Sequence, residues 1–251
     1  MIGTIEKRIL KYIKQNGTIC FALIDSEGIS KEKVIDITKH AEKNGVKGIL
    51  VGGSTAIDQS ELNIITKVIK SVTSLPIILF PGNVTGISQY ADAILFSSLL
   101  NSDNTYFIIE AQMLSAPLVK KYNLEAIPMG YIVIGEGGTT GFIGKARCIP
   151  PEKADIVVMY ALAAKYLGMR FIYLEAGSGV KSHIPSILIK KVRKSFDGII
   201  IVGGGIRSSK DAKEVASAGA DIIVVGTILE EKYFDNSLKE IVSAIKHNQS
   251  Y

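Results

Sequence analysis

The chain has 251 residues, of which 47% are hydrophobic and 21% charged, a composition that supplies a sizeable core and excludes intrinsic disorder. The formal net charge of +5 is scattered along predicted helices rather than concentrated in one run, which argues against a nucleic-acid-binding protein. No stretch approaches the ~20 consecutive apolar residues that span a bilayer, and Cys20 and Cys148 lie far apart without a CxxC motif, so we expect a cytoplasmic protein with free thiols.

Residues 1–14 place charged side chains between apolar ones at helical spacing, which predicts an amphipathic N-terminal helix rather than a signal peptide. Eight short apolar runs follow, rich in Ile and Val and without polar alternation, as in parallel strands that helices cover on both faces. The predicted strands cover residues 19–24, 48–51, 76–80, 93–96, 125–134, 171–174, 198–202 and 221–225. Helical patterns, with apolar residues spaced by three and four, cover residues 31–43, 58–71, 104–121, 151–167, 184–194, 208–218 and 237–247.

Because only residues 83–90 separate strands three and four, we predict that the third helix is short or missing. Ser30, Ser102 and Ser208 each precede a helical pattern, where a hydroxyl can accept the amide protons left unpaired at a helix start. Eight strands that alternate with helices over about 250 residues predict a (β/α)₈ barrel, or TIM barrel, as a single domain across residues 1–251. The alternative is a doubly wound open sheet, which usually has five or six strands and needs a topological switch.

Glycine-rich turns follow the last two predicted strands, Gly203-Gly204-Gly205-Ile206-Arg207-Ser208 after the seventh and Gly226-Thr227 after the eighth. In (β/α)₈ barrels these turns frequently hold a phosphate, because glycines let backbone amides approach the anion at a helix start. Arg207 can add a charge-assisted contact, and Gly177-Ser178-Gly179 after strand six can form a third wall. The other interpretation is that the glycines serve only turns with positive φ, but two such turns at these strands favour a phosphate site.

Carboxylates end two of the predicted strands, Asp25 at the first and Glu175 at the sixth. Because catalytic residues of this fold come from the carboxyl ends of the strands, we expect both side chains to face one mouth. Asp25 is predicted to bind Mg²⁺, which prefers oxygen ligands, with help from the Ser54 hydroxyl, and Glu175 to accept a proton from a substrate hydroxyl. The structural alternatives are a helix cap or salt bridge for Asp25 and a carboxylate bonded to amides for Glu175. Zinc is disfavoured, since the sequence shows no cluster of His and Cys.

Five motifs together resemble those of the geranylgeranylglyceryl phosphate synthase family, whose bacterial relatives are heptaprenylglyceryl phosphate synthases. The resemblance runs from about residue 18 to residue 230, and its most specific part is the motif after strand six. The motifs are Ala22-Leu23-Ile24-Asp25, Val51-Gly52-Gly53-Ser54, Leu79-Phe80-Pro81-Gly82, Tyr173-Leu174-Glu175-Ala176-Gly177-Ser178-Gly179 and Val202-Gly203-Gly204-Gly205-Ile206-Arg207.

The resemblance implies a prenyltransferase of archaeal ether-lipid biosynthesis. The 3-hydroxyl of sn-glycerol 1-phosphate would attack C1 of geranylgeranyl diphosphate, and diphosphate would leave. Asp25 and Ser54 would hold Mg²⁺ against the diphosphate, with Glu175 as the base and Tyr173 as a second catalytic residue. The glycerol phosphate would be bound by Tyr173, Leu174, Glu175, Ala176, Gly177, Ser178, Gly179, Gly204, Gly205, Gly226 and Thr227.

The sequence departs from the family pattern after its first aspartate, where Ser26 and Glu27 stand in place of Pro and Asp. Residues 135–151 resemble the longer archaeal form of the family and are expected to cover the site as a lid, with Lys145 or Arg147 near the diphosphate. Periodicity does not locate the apolar groove that a prenyl chain needs, because buried helix faces have the same pattern. The length of the prenyl chain therefore stays open.

Three alternatives to this function are a heptaprenylglyceryl phosphate synthase, a sugar-phosphate isomerase or cyclase on the same phosphate barrel, and a phosphate-ligand sensor without enzymatic activity. An isomerase would need a second acid or base at another strand end and no apolar groove. We also expect a homo-oligomer and a transient contact with a membrane surface, since the chain is basic and the implied product is a lipid.

Overall fold

Eight parallel strands form a closed barrel in chain order in the computed structural model, which describes residues 2–53, 58–231 and 233–246. Each strand pairs with the next, and β8 pairs with β1, so the sheet has no edge. The predicted TIM barrel is therefore confirmed. The strands are β1 (Ile19–Asp25), β2 (Gly48–Gly52), β3 (Ile77–Leu79), β4 (Ala93–Leu99), β5 (Glu125–Gly137), β6 (Phe171–Ser178), β7 (Ile199–Gly203) and β8 (Ile222–Val225).

The helices of the described residues surround this barrel, apart from the first one and the fifth, which lies at the mouth. They are α1 (Thr4–Asn16), α2 (Lys31–Lys43), α3 (Gln59–Val72), α4 (Ala111–Lys121), α5 (Gly138–Ile143), α6 (Ala154–Tyr166), α7 (Ser186–Ser195), α8 (Ser209–Ser217) and α9 (Phe234–Ile245). A π-helical turn over Tyr106–Glu110 precedes α4, and a 3₁₀ turn over Thr227–Glu230 follows β8. Residues 80–92, all described, contain no helix. This confirms the prediction that the helix between strands three and four is short or missing. None of the described helices is both long and apolar enough to cross a bilayer.

Two of the three predicted serine caps are present. The Ser30 hydroxyl accepts a hydrogen bond from the amide of Lys33, and Ser208 forms a capping box with Asp211 at the start of α8. Ser102 is not the N-cap of a helix: its hydroxyl accepts a hydrogen bond from the amide of Asn104 at 3.0 Å and donates to the carbonyl of Gly144 at 2.6 Å, but Thr105 lies at the N-cap position. The predicted helix over 104–121 begins only after this contact, with the π-helical turn.

The amphipathic α1 closes the bottom of the barrel. Ile9 is fully buried against side chains of the barrel interior, and the Glu125 carboxylate accepts hydrogen bonds from the amides of Ile5 and Glu6 at 2.7 Å each. The buried Glu6 carboxylate in turn accepts two hydrogen bonds from the Arg170 guanidinium at 2.6 Å. These contacts leave the opposite end, at the carboxyl ends of the strands, as the accessible mouth.

Candidate active site

A cavity opens at the carboxyl ends of the strands, and each of the eight strands or the turn after it contributes to its lining. Its floor is a layer of inward-facing residues that includes Leu95, Tyr131, Tyr173 and Val224. Parallel strands of a closed barrel deliver their last residues to one rim, so side chains distant in the sequence converge there. Asp25 and Glu175 both line this cavity, as the sequence predicts.

Glu175 is a buried carboxylate at the centre of the site, with only 6% of its surface exposed. One carboxylate oxygen accepts a hydrogen bond from the amide of Gly177 at 2.6 Å, and the other accepts one from the Tyr131 hydroxyl at 3.2 Å. Burial raises the pKa of Glu175, while the hydrogen bonds from Gly177, Tyr131 and Tyr173 lower it. A carboxylate with a raised pKa and a fixed orientation is suited to accept a proton.

Three aromatic rings surround this carboxylate. Phe80 is stacked on Tyr173 with ring centroids 5.1 Å apart, and Tyr131 meets both rings edge-on at 5.3 and 5.2 Å. Burial raises the pKa of both tyrosines well above the usual value, so their hydroxyls stay protonated and act as hydrogen-bond donors. Gly203 allows this arrangement, because a Cβ atom there would lie 2.7 Å from Cζ of Tyr173.

The turn after β7 brings backbone groups close to Glu175. Gly204 and Gly205 have φ angles of 83° and 70°, a region that glycine occupies without strain. A Cβ atom on Gly204 would also lie 2.7 Å from a carboxylate oxygen of Glu175, so this position requires glycine for two reasons. The Arg207 guanidinium lines the cavity and donates to the carbonyls of Gly179 and Val180 at 3.4 Å, which joins the turns after β6 and β7.

The turn after β8 completes this end of the cavity. Gly226 and Thr227 line it where the 3₁₀ turn begins, beside the turn after β7. Gly177, Ser178 and Gly179 line it from the end of β6. The three late turns therefore converge on one region, as the sequence predicts, and the start of α8 lies directly after the second of them.

Two residues of the predicted set do not face the cavity. The side chains of Leu174 and Ala176 are buried in the layer between the barrel and its helices. Successive residues of a strand point to opposite faces of the sheet. Within the contiguous motif on β6, the side chains of Tyr173 and Glu175 therefore point into the barrel, and those of Leu174 and Ala176 point outward. The expectation that the whole motif lines the site is corrected for these two side chains.

Asp25 lies at the exposed rim, where β1 ends. One of its carboxylate oxygens accepts a hydrogen bond from the amide of Glu27 at 3.1 Å. Partial burial raises the pKa of Asp25, this hydrogen bond lowers it, and the nearby Glu27 and Glu61 carboxylates raise it again. The Asp25 carboxylate packs against Gly53, in the space that a side chain at this position would occupy. The predicted second ligand, Ser54, lies outside the described residues.

A hard cation fits the rim around Asp25. Negative charge from three neighbouring carboxylates favours a cation there, and Mg²⁺ in proteins often uses one or two carboxylates with several waters. The described residues contain no cluster of three or more His, Cys, Asp or Glu side chains arranged around a common metal position. With Asp25 as its oxygen donor, the rim fits an ion that takes most of its ligands from water and substrate.

An apolar arm extends the cavity from Phe80 towards α4, and sequence reasoning did not locate it. Residues of the turn after β3, of β4, of the π-helical turn and of α4 line this apolar arm: Val84, Ile87, Ile94, Phe96, Phe107, Ala111, Gln112 and Ser115. In the sequence these residues resemble ordinary core positions, because a groove wall and a helix–sheet contact are both apolar. The sequence signal that could have indicated the apolar arm is the pair of small residues Ala111 and Ser115, spaced by four on one face of α4.

Residues 135–151 lie over the rim, but not with the predicted basic contacts. β5 extends to Gly137, and Thr140, Ile143 and Gly144 of the following segment line the cavity. Lys145 and Arg147 are exposed and do not line the cavity. The Nε atom of Arg147 lies 3.7 Å from a carboxylate oxygen of Asp103 instead. The segment is held to the end of β4 by Asn101, whose amide group donates to the carbonyls of Val133 and Arg147 at 2.9 and 3.0 Å.

Comparison with known proteins gives consistent results. A family model described as the PcrB family matches residues 13–245. The chain is 51% identical over 244 residues to a geranylgeranylglyceryl phosphate synthase from Cenarchaeum symbiosum (strain A), covering 97% of this chain and 99% of that protein. It is 52% identical over 237 residues to the enzyme of the same name from Methanosphaera stadtmanae, covering 94% and 96%.

A solved structure matches the fold across almost the whole chain. It is the crystal structure of (S)-3-O-geranylgeranylglyceryl phosphate synthase from Thermoplasma acidophilum in complex with sn-glycerol-1-phosphate. The TM-score is 0.93 at 39% sequence identity, and the match covers 98% of this chain and 99% of that chain.

Proposed function

Because the chain belongs to the PcrB family, we propose that it is a prenyltransferase that joins sn-glycerol 1-phosphate to geranylgeranyl diphosphate through an ether bond. The family resemblance predicted from its motifs is confirmed, and relatives that match nearly its whole length carry the name of this activity. The single structural observation that carries the proposal is the position of Glu175. It is a buried carboxylate that lines the cavity between the three glycine-rich late turns and the apolar arm.

The glycerol phosphate is proposed to bind at the three late turns. Its phosphate would accept hydrogen bonds from backbone amides around Gly204, Gly205, Gly226 and Thr227, close to the start of α8. The Arg207 guanidinium, which lines the same region, would add a charged donor. A phosphate in this position leaves the glycerol directed towards Tyr173 and Glu175, and Ser178 and Gly179 close the third side.

Glu175 would accept the proton of the glycerol 3-hydroxyl. The oxygen's electron pair then forms the bond to C1 of the prenyl donor, while the pair of the C1–oxygen bond leaves with diphosphate. Tyr131 and the amide of Gly177 hold the carboxylate in one orientation, so that little reorganisation accompanies the transfer. The Tyr173 hydroxyl, buried beside Glu175, would contact the glycerol from the same strand.

The prenyl diphosphate is proposed to occupy the remainder of the cavity. Its chain would lie in the apolar arm along α4, which an isomerase of small sugar phosphates would not need, and its diphosphate near Asp25. Asp25, with Ser54 as a second oxygen donor, would hold Mg²⁺ at the rim. When bound, Mg²⁺ supplies a positive charge that offsets the negative charge gathering on the leaving diphosphate.

Exposed apolar side chains on neighbouring helices support a homo-oligomer. Met113 and Leu114 on α4 are 59% and 55% exposed, and Met159 and Tyr166 on α6 are 67% and 80% exposed.

A prenylated product is amphiphilic, so we also propose that the enzyme is cytoplasmic and contacts membrane surfaces transiently.

The activity is tested with the purified protein, glycerol 1-phosphate, radiolabelled geranylgeranyl diphosphate and Mg²⁺. We expect a butanol-soluble product that phosphatase converts to a less polar ether. Glu175→Gln should abolish most of it, whereas Glu136→Gln, which changes an exposed carboxylate that does not line the cavity, should not. Failure to form product with any prenyl donor from farnesyl to heptaprenyl diphosphate would reject the proposal.

A further inference from the structure

Phe80 is an aromatic residue in the active-site wall that the roles above leave unexplained. It follows directly after β3, is half-buried and lines the cavity. Its amide donates to the carbonyl of Val51 at 2.8 Å, and its own carbonyl packs against Gly52, where a side chain would collide with it. The backbone of Phe80 is thereby fixed to the barrel, and the position of its ring is constrained.

The Phe80 ring spans the mouth between the two polar ends of the site. β3 and β6 are three strands apart in a closed barrel of eight, yet the ring stacks on Tyr173 of β6 with an interplanar angle of 20°. The carbonyl of Phe80 packs against Gly52, and the next residue, Gly53, contacts the Asp25 carboxylate. Tyr173, on which the ring stacks, is hydrogen-bonded to Glu175. The ring is therefore located between the proposed diphosphate position and the proposed base, next to the apolar arm.

No cation of the described residues uses the face of this ring. The cation–π contacts found in the described residues involve Tyr12, Tyr90 and Phe234. Arg207, the cationic side chain of the described residues that lines the cavity, is directed to the carbonyls of Gly179 and Val180. Tyr173 covers one face of the Phe80 ring, and the other face, which no cation of the described residues occupies, is left to a positive charge that arises within the cavity itself.

The proposed reaction produces such a charge. When the bond between C1 and the diphosphate oxygen breaks, its electron pair leaves with the diphosphate, and the allylic carbons become electron-poor. The charge disappears as the glycerol oxygen donates its electron pair to C1 and its proton passes to Glu175. A group that attracts a cation, without adding a nucleophile that could capture it, lowers the barrier without diverting the product.

We propose that Phe80 is a catalytic residue whose ring stabilises the positive charge that develops on the allylic carbon during prenyl transfer. The proposal rests on the proposed function. It differs from the simpler role of an apolar wall in one measurable respect. A wall depends on the size and shape of the side chain, whereas cation–π attraction depends on the electron density of the ring.

The test replaces Phe80 by mono-, di-, tri- and pentafluorophenylalanine through site-specific incorporation. Each fluorine withdraws electron density from the ring face with little change in shape. We expect kcat to fall progressively, by about tenfold across the series, equivalent to about 1.4 kcal/mol in the barrier. The Kd for glycerol 1-phosphate should change less than twofold. An ammonium analogue of the allylic donor should bind more weakly along the same series.

The matched control is the same series at Phe196, which is buried between the barrel and its helices, does not line the cavity and lies outside the aromatic cluster around Glu175. The kcat of these variants should stay constant. A flat Phe80 series in an active enzyme, or an equal fall at Phe196, would overturn this proposal and leave the proposed function intact. If the unsubstituted enzyme forms no ether, the proposed function fails, and this proposal fails with it. Phe80→Leu, which keeps an apolar side chain, should lose activity comparably to the pentafluoro variant.

Discussion

Gly203→Ala places a methyl group against the most confined side chain of the site. The new Cβ would overlap the Tyr173 hydroxyl and lie 2.7 and 2.9 Å from Cζ and Cε1 of the same ring, whereas ordinary contacts begin at 3.4 Å. The φ angle of Gly203 is not in the left-handed region, so the effect comes from packing and not from backbone strain. Tyr173 is 1% exposed and is held between Phe80 and Tyr131, so the ring has no space to withdraw.

The magnitude follows from this confinement. The ring would have to retreat by at least roughly 0.7 Å to bring Cζ to 3.4 Å, and farther to free the hydroxyl, into rings with centroids 5.1 and 5.2 Å away. Overpacking a well-filled core costs ~1–3 kcal/mol, and the upper half of this range is expected here. The free energy of unfolding is measured by urea denaturation, and the affinity for glycerol 1-phosphate by calorimetry, because a displaced Tyr173 also disturbs Glu175.

Gly226→Ala is the matched control, because Gly226 occupies the corresponding turn after β8. Its Cβ would meet Leu23 at an ordinary 3.7 Å, so a loss below ~1 kcal/mol is expected. In the double variant Gly203→Ala, Tyr173→Phe, the hydroxyl overlap is gone and the Cζ contact remains, so the unfolding free energy should be partly restored. Equal stability of Gly203→Ala and Gly226→Ala would refute the packing argument.

Three further substitutions test other parts of the structure. Glu175→Gln should lower kcat by about 10²–10⁴-fold with little change in the Kd for glycerol 1-phosphate, and a rise in Kd by a similar factor would contradict its role as the base. Because burial raises the pKa of Glu175 and a base must be ionised, kcat/KM should fall on acidification at a higher pH than an ordinary glutamate would give. Asp25→Asn should raise the Mg²⁺ concentration needed for half-maximal activity, and an unchanged Mg²⁺ titration would exclude Asp25 as a ligand. Glu125→Ala removes the acceptor for two amides at the start of α1 and should cost ~1–2 kcal/mol of unfolding free energy in urea.

Much of the fold was predictable because its signals are local. Ile- and Val-rich runs alternate with helical spacing, Ser30 and Ser208 mark two helix starts, and the short gap after β3 leaves no room for a helix. Ser102 shows where such reasoning fails. Its hydroxyl accepts a hydrogen bond from the amide of Asn104, as a cap would, but this bond belongs to a turn that precedes the helical segment, which begins only at Tyr106.

The strand ends of the site were also predictable, because in this fold the position of a residue along its strand decides which end of the barrel it reaches. The sequence by itself therefore determined the barrel, the three late turns and the two carboxylates at one mouth. Only the tertiary structure decided that Leu174 and Ala176 face away, that Lys145 and Arg147 lie outside the cavity, and where the apolar arm runs. These features depend on which surfaces meet when the barrel closes, and hydrophobic contact is non-directional, so apolar residues of a groove wall and of a packed core look alike in a sequence.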